Sequence, residues 1–146
     1  MKASAKINTI LFHGILLLFL CTMNAGCKKD DAQAKASDAR DNYVGTWRCT
    51  EKSSVGNQAF LLTISKDPNN QTYLRFYNFN MQGPNFFVNG IANYANLSIP
   101  LQQPPSGGNT FNIEGSGQLL NNQLNLSYTV NDGVNPNISY TAVCVK

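Results

Sequence analysis

The sequence predicts an all-β domain, a small antiparallel barrel of about eight strands, with a β-sandwich as the alternative architecture. Three observations carry the prediction. Apolar and polar residues alternate with period two in short runs, and no window keeps a helical period. Clusters of Asn, Gly and Pro punctuate the runs, as turn chemistry requires. Two cysteines, Cys49 and Cys144, lie near the two ends of the domain, each on the apolar face of its run.

The chain does not open on a strand. Residues 1–26 run in the order that export requires: positive charges at Lys2 and Lys6, an apolar stretch ending in Ile15-Leu16-Leu17-Leu18-Phe19-Leu20, and small residues Ala25-Gly26 before Cys27. As a membrane span the stretch is poor, because Asn8, Thr9, His13 and Gly14 interrupt it and a crossing helix needs about 20 predominantly apolar residues. A cleaved signal peptide is expected over 1–26. "NAGC" (24–27) resembles the box at which bacterial lipoproteins are acylated and cut, with Asn24 where leucine is usual. Cys21 is the poorer candidate, since bulky Leu20 precedes it.

The following Lys28, Lys29, Asp30 and Asp31 resemble the signal that sends lipoproteins of the Bacteroidetes to the outer face of the outer membrane. The resemblance implies lipid, such as palmitate, on Cys27. Each buried methylene contributes about 0.8 kcal/mol and one chain alone binds reversibly, so two or three acyl chains make the attachment durable. Residues 27–42 are then the lipidated cysteine and a flexible tether: 28–42 are charged and small, without aromatic or branched apolar residues, a composition that needs no fold.

The domain proper spans 43–146, enough for one modest core. Its first run, "GTWRCTEK", places Trp47 and Cys49 on one face and Thr46, Arg48 and Thr50 on the other. "AFLLTISK" groups Phe60, Leu62 and Ile64 before a turn at Asp67-Pro68-Asn69-Asn70. "TYLRFYNF", "FFVNGIA", "ANLSIPL" and "TFNIEGSGQL" follow. "QLNLSYTV" aligns Leu124, Leu126, Tyr128 and Val130, and "ISYTAVCV" aligns Ile138, Tyr140, Ala142 and Cys144.

An exported chain meets an oxidising compartment, and two domain cysteines allow one intramolecular pairing, so a Cys49–Cys144 disulfide is expected. In the chain-entropy picture such a bridge contributes about 4–5 kcal/mol. A bridge inside the core makes the first and last strands neighbours. The sheet then closes on itself, which also removes its edges.

"YVGTW" (43–47), through Gly45 and Trp47, resembles the start of lipocalin-like barrels, where the tryptophan plugs one end. The running order of "YVGTW", "YNF", "IPLQQ", "EGSGQL" and "LSYTV" is similar to that of a class of small Bacteroidetes lipoproteins, with "EGSGQL" as the start of a hairpin. That resemblance implies a lipocalin-like barrel in an outer-membrane setting. It implies no established activity.

Composition excludes several functions. Residues 43–146 carry five Lys and Arg against four Asp and Glu, which is no nucleic-acid footprint. The only histidine, His13, lies in the signal, so histidine triads, bases and metal ligands are excluded from the domain. Asp67 before Pro68 and Asp132 before Gly133 read as turn caps. Glu51 and Glu114 are the remaining acids, and a glycosidase needs two facing carboxylates. Nothing in the sequence brings them together, and both read as ordinary exposed strand residues.

Ser106-Gly107-Gly108 and Glu114-Gly115-Ser116-Gly117 read as turns and a strand kink, since no helix or activating base follows. No metal or cofactor is expected. Asparagine occurs 17 times in 43–146, supplying turns and left-handed backbone. The acceptor-like patterns at Asn70, Asn96, Asn125 and Asn137 read as chance in a bacterial chain.

The most distinctive stretch is "YLRFYNFNMQGPNFF" (73–87). Its aromatic residues fall on both faces of an alternating strand, so some of the rings must lie outside the core. Tyr73, Arg75, Tyr77, Phe79, Phe86 and Phe87 are the candidate ligand-binding residues, rings and a guanidinium suited to a sugar face or a protein surface. The expected function is therefore a non-catalytic binding module for a small apolar ligand, a glycan or a protein, attached to a membrane through Cys27. A purely structural envelope component without a ligand is the alternative, and a glycan-processing enzyme comes third. Interior packing discriminates: a barrel filled by Trp47, Leu62, Ile64, Leu126 and Tyr128 has no calyx.

Overall fold

The computed structural model describes residues 37–104, 112–134 and 137–146. Among these, strands β1 (Gly45–Ser53), β2 (Gly56–Lys66), β3 (Tyr73–Tyr77), β4 (Phe87–Asn93), β5 (Asn96–Gln102), β6 (Asn112–Leu120), β7 (Gln123–Asn131) and β8 (Ile138–Val145) follow one another. Each pairs antiparallel with its sequence neighbour, and β8 returns to β1. The domain is a closed up-and-down barrel. The sandwich alternative is excluded by the β1–β8 ladder.

The period-two pattern is the physical origin of this wall. In β1 the inward positions Trp47, Cys49 and Glu51 are buried while Arg48, Thr50 and Lys52 face out. In β2 Phe60, Leu62 and Ile64 point in, and in β7 Leu124, Leu126, Tyr128 and Val130. Cys49 and Cys144 are directly opposite each other across the β1–β8 seam, Cα to Cα 3.9 Å, and form the expected disulfide. Because it links positions 95 residues apart, the bridge falls where loop-closure entropy is large.

The barrel is packed through. Three inward positions carry glycine because their neighbours occupy the space a side chain would need. A Cβ at Gly90 would lie 2.7 Å from the Phe76 ring, one at Gly115 2.5 Å from Tyr128 Cβ, and one at Gly117 2.7 Å from Leu126. "EGSGQL", read as the start of a hairpin, is instead the middle of β6, whose inner face is thinned so that Leu126 and Tyr128 fill the lumen.

One seam is irregular for a local reason. The β4–β5 ladder runs only from Asn93–Asn96 to Ile91–Ser98, and Pro100, which has no N–H, lies beyond it. The side chain of Gln102 takes over: Asn89 N–H donates to its Oε1 and its Nε2 donates to Asn89 O, each at 2.8 Å. The carboxamide thus stands in for a backbone pair.

The antiparallel order defines two ends. The Trp47 end gathers the chain start, the β2–β3 loop, the β4–β5 and β6–β7 turns and the C-terminus. Residues 38–42, read as the last part of an unfolded tether, belong to the fold here. A short 3-10 helix, η1 (Ala39–Asn42), is capped by Asp38, which accepts from Arg40 N at 3.0 Å and pairs with Arg40 at 2.7 Å and Lys66 at 2.9 Å. Composition misled because the order comes from Lys66, far along the chain, which also pairs with Asp41 at 2.5 Å.

Trp47 Nε1 donates to Tyr43 O at 2.7 Å, and the Tyr43 hydroxyl to Tyr94 O at 3.0 Å. The ammonium of Lys146 lies 4.7 Å from the Trp47 ring centre. These contacts close the end.

Candidate functional site

The opposite, Glu51 end is closed by the β3–β4 connection. After Tyr77 the backbone turns left-handed at Asn78 (φ 59°), Asn80 (φ 51°) and Met81 (φ 57°). Asn78 ties this connection together: its N–H donates to Phe86 O, its Nδ2 to Leu61 O, and its Oδ1 accepts from Gly83 N, all at 2.9 Å. The result is a second 3-10 turn, η2 (Phe79–Met81), that drives Phe79 and Asn80 into the barrel mouth. Left-handed backbone is uncommon outside glycine and asparagine, so Met81 holds this shape at a cost.

Inside that mouth sits Glu51, 1 % exposed, on the same face of β1 as Trp47 and Cys49. Its carboxyl collects three uncharged donors. Gln58 Nε2 donates to Oε1 at 2.5 Å, Asn80 Nδ2 donates to Oε1 at 3.2 Å, and the Tyr128 hydroxyl donates to Oε2. Asn80 Nδ2 also lies 3.1 Å from the Tyr128 hydroxyl. No cation pairs with Glu51 among the described residues. Burial therefore raises its pKa, an effect that the hydrogen bonds from Tyr128, Gln58 and Asn80 only partly offset.

The Tyr128 phenol is raised as well, first by burial and then by the Glu51 charge. Tyr140 stacks on Tyr128 at 5.2 Å with an interplanar angle of 10°, and Phe79 packs against Tyr128 at 4.5 Å.

Above this network lies a cleft of about 350 Å³, between the β1–β2 hairpin, the η2 segment and Tyr140. Ser53, Asn57, Gln58, Asn80, Gln82 and Tyr140 supply its polar wall, and Val55 and Met81 its apolar part. Glu51 lies beneath that wall and is not on it. Lining of this kind exchanges hydrogen bonds with a neutral polar molecule; among the described residues no ionised side chain lines the cleft.

The expected ligand-binding residues divide between two places. Phe79 and Phe86 are buried in the core. Tyr73, Arg75, Tyr77 and Phe87 are half-buried on the outer face of β3 and β4. There Arg75 lies 4.8 Å from the Phe87 ring centre, and Tyr77 packs on Phe87 at 5.5 Å. Arg75 is also held by Asp67 through bonds of 3.0 and 3.1 Å. Cys27, Lys28, Lys29, Asp30 and Asp31 lie outside the described residues.

The acids need one correction. Glu51, read as an exposed strand residue, is buried, whereas Glu114 is exposed on the outer face of β6, so the two carboxylates face opposite sides of the wall. Asp67 and Asp132 cap turns as read, accepting from Asn69 N at 2.7 Å and Val134 N at 2.8 Å. The Glu51 network went unread, although extending the alternation Trp47, Cys49 by one step puts Glu51 inside. Asn80 gave no such signal, since its direction depends on left-handed backbone. Among the described residues no group of three His, Cys, Asp or Glu side chains is placed to hold a metal ion.

No protein-family profile, curated protein or solved structure matches this chain.

Proposed function

We propose that this chain is a cell-envelope lipoprotein of the Bacteroidetes kind, held by acyl chains on Cys27 at the outer face of the outer membrane, whose barrel is a non-catalytic binding module. Its ligand is taken at the Glu51 end, and a glycan is the class that suits the site. The observation that carries the binding reading is the cleft wall of Ser53, Asn57, Gln58, Asn80, Gln82 and Tyr140. Carboxamides and hydroxyls exchange hydrogen bonds with sugar hydroxyls, while Met81 and Val55 offer apolar surface to a ring face. A small apolar ligand inside the barrel has less in its favour, because Trp47, Leu62, Ile64, Leu126 and Tyr128 fill the interior. A protein partner is the second reading, favoured by the outer ledge of Tyr77, Phe87 and Arg75.

Two experiments test the parts separately. Cys27→Ala is expected to move the protein from the membrane to the soluble fraction, and Lys29→Ala/Asp30→Ala/Asp31→Ala to protect it from protease added to intact cells. Unchanged behaviour in both would remove the anchor and the address. For the ligand, the protein is purified from its host with its lipid intact and weighed by native mass spectrometry, then offered to an array of neutral glycans. Retention lost on Gln58→Leu supports the cleft. Retention unchanged by that substitution but lost on Phe87→Ser moves the site to the outer ledge, and no retention leaves a structural envelope component.

A further inference from the structure

We infer that Glu51 is the positioning residue of the cleft: it claims the N–H ends of the Gln58 and Asn80 carboxamides and leaves their carbonyl ends to the ligand, so that the cleft accepts hydrogen bonds and disfavours anions. The inference rests on the reading of this cleft as a binding site. Its basis is the direction of the bonds beneath the wall. A carboxamide donates through the two N–H bonds of its nitrogen and accepts at its oxygen, and a carboxyl oxygen against the nitrogen decides which way the group is turned.

Both Gln58 Nε2 and Asn80 Nδ2 converge on Oε1 of Glu51, at 2.5 and 3.2 Å. The Tyr128 hydroxyl is committed to Oε2. Gln82 repeats the pattern one step out, its Nε2 donating to Asn80 O at 3.3 Å. Three carboxamides of one wall thus spend donors on the protein itself.

Charge points the same way. The acidic groups acting on this corner are Glu51, beneath the wall, and Asp132, which acts on Tyr140. The phenols of Tyr128 and Tyr140 are both held in their neutral forms by burial. Lys52, the nearest base in the β1 sequence, faces the outside of the barrel. A ligand carboxylate or phosphate would meet carbonyl oxygens with no cation behind them among the described residues, and like polarity across a contact is costly. Hydroxyl groups or an ammonium would meet acceptors already turned toward them.

The test is NMR of the side-chain amides in the whole 15N-labelled protein. In the unmodified chain the amide protons of Gln58 and Asn80 should exchange slowly, against immediate exchange at the exposed Gln118. Glu51→Gln keeps the shape but brings a group that donates as well as accepts, and should speed exchange at Gln58 or Asn80 about tenfold, the loss of one net hydrogen bond. Methyl glucoside, glucosamine and glucuronate then present one ring with a hydroxyl, an ammonium or a carboxylate. The first two should shift the Gln58, Asn80 and Tyr140 signals at concentrations about tenfold or more below those needed for glucuronate.

Glucuronate binding as tightly as the neutral ring overturns the inference, as does immediate exchange of both amides in the unmodified chain. That exchange measurement decides the role of Glu51 even if Glu51→Gln fails to fold. Slow exchange with no response to any of the three rings upholds the amide orientation and overturns instead the glycan reading on which its use depends.

Discussion

At the Trp47 end, charge stays outside: Asp38, Asp41, Arg40 and Lys66 tie η1 to the rim, while Trp47 and Tyr43 seal the lumen beneath them. At the Glu51 end, a carboxyl is inside and is met only by neutral donors, under a segment with three left-handed residues. The same eight strands reach both ends, so the difference is not one of scaffold. The two ends close one lumen by different means. Left-handed backbone occurs at both ends, at Tyr94, Asn121 and Asn122 as well as in the η2 segment, so the difference lies in the buried polar group, a feature that clusters at functional sites.

The largest expected effect belongs to what the two ends share. Cys49→Ala/Cys144→Ala should cost about 4–5 kcal/mol in urea unfolding, since it restores the freedom of a long loop in the unfolded chain. A loss well below that would mean the β1–β8 seam holds by its ladder alone. Next comes Trp47→Ala, expected to cost about 3–5 kcal/mol through the cavity it leaves while the Glu51 cleft keeps its side-chain amide pattern. Should the amides at Gln58 and Asn80 loosen as well, the two ends are coupled and the comparison fails.

Glu51→Ala should cost about 1–3 kcal/mol, because Tyr128, Asn80 and Gln58 lose a common acceptor inside the barrel. The ends should also respond to pH with opposite sign. Asp38 is held below the usual carboxylate range by bonds from Arg40 and Lys66, and Asp67 is lowered by Arg75. Stability from these depressed groups is present above their unfolded pKa and is lost as pH falls through the folded values.

Glu51 is raised, so its contribution is complete below its unfolded pKa, near 4.5, and is lost as pH rises through the folded value. Thermal unfolding across pH should therefore show an acid limb flattened by Asp38→Asn and a higher limb flattened by Glu51→Gln. Identical curves for the two variants would sink the contrast.

The smallest effect sharpens it. Met81→Gly relieves left-handed backbone at φ 57° but frees the unfolded chain, and should stabilise by about 0.5 kcal/mol. Destabilisation would show that the Met81 side chain, not its backbone, holds the η2 segment.

Much of the wall was legible because a strand's faces follow from its own residues. The inward sets of β1, β2, β7 and β8 can be listed from alternation alone, and the cysteine positions then demand closure. The site was less legible. Glu51 obeyed the alternation but carries a charge, and a lone strand glutamate is ordinarily outside. The aromatic run 73–87 drew attention to real features, yet it mixes three core rings, Phe76, Phe79 and Phe86, with an outer ledge, a division set by where β3 stops at Tyr77.

The sequence by itself determined most of the strand runs, the inward apolar residues of β1, β2, β7 and β8 and the disulfide partners, because period two and a single possible pairing in the domain are local or combinatorial facts. Only the tertiary structure decided the rest. It brings Lys66 to η1, replaces the hydrogen bond missing at Pro100 with Gln102, and makes Gly90, Gly115 and Gly117 room for their neighbours. Above all it converges Gln58, Asn80 and Tyr128, from three separate segments, on Glu51. Closing the barrel excludes water from that carboxyl, and no single strand contains the three donors that take water's place.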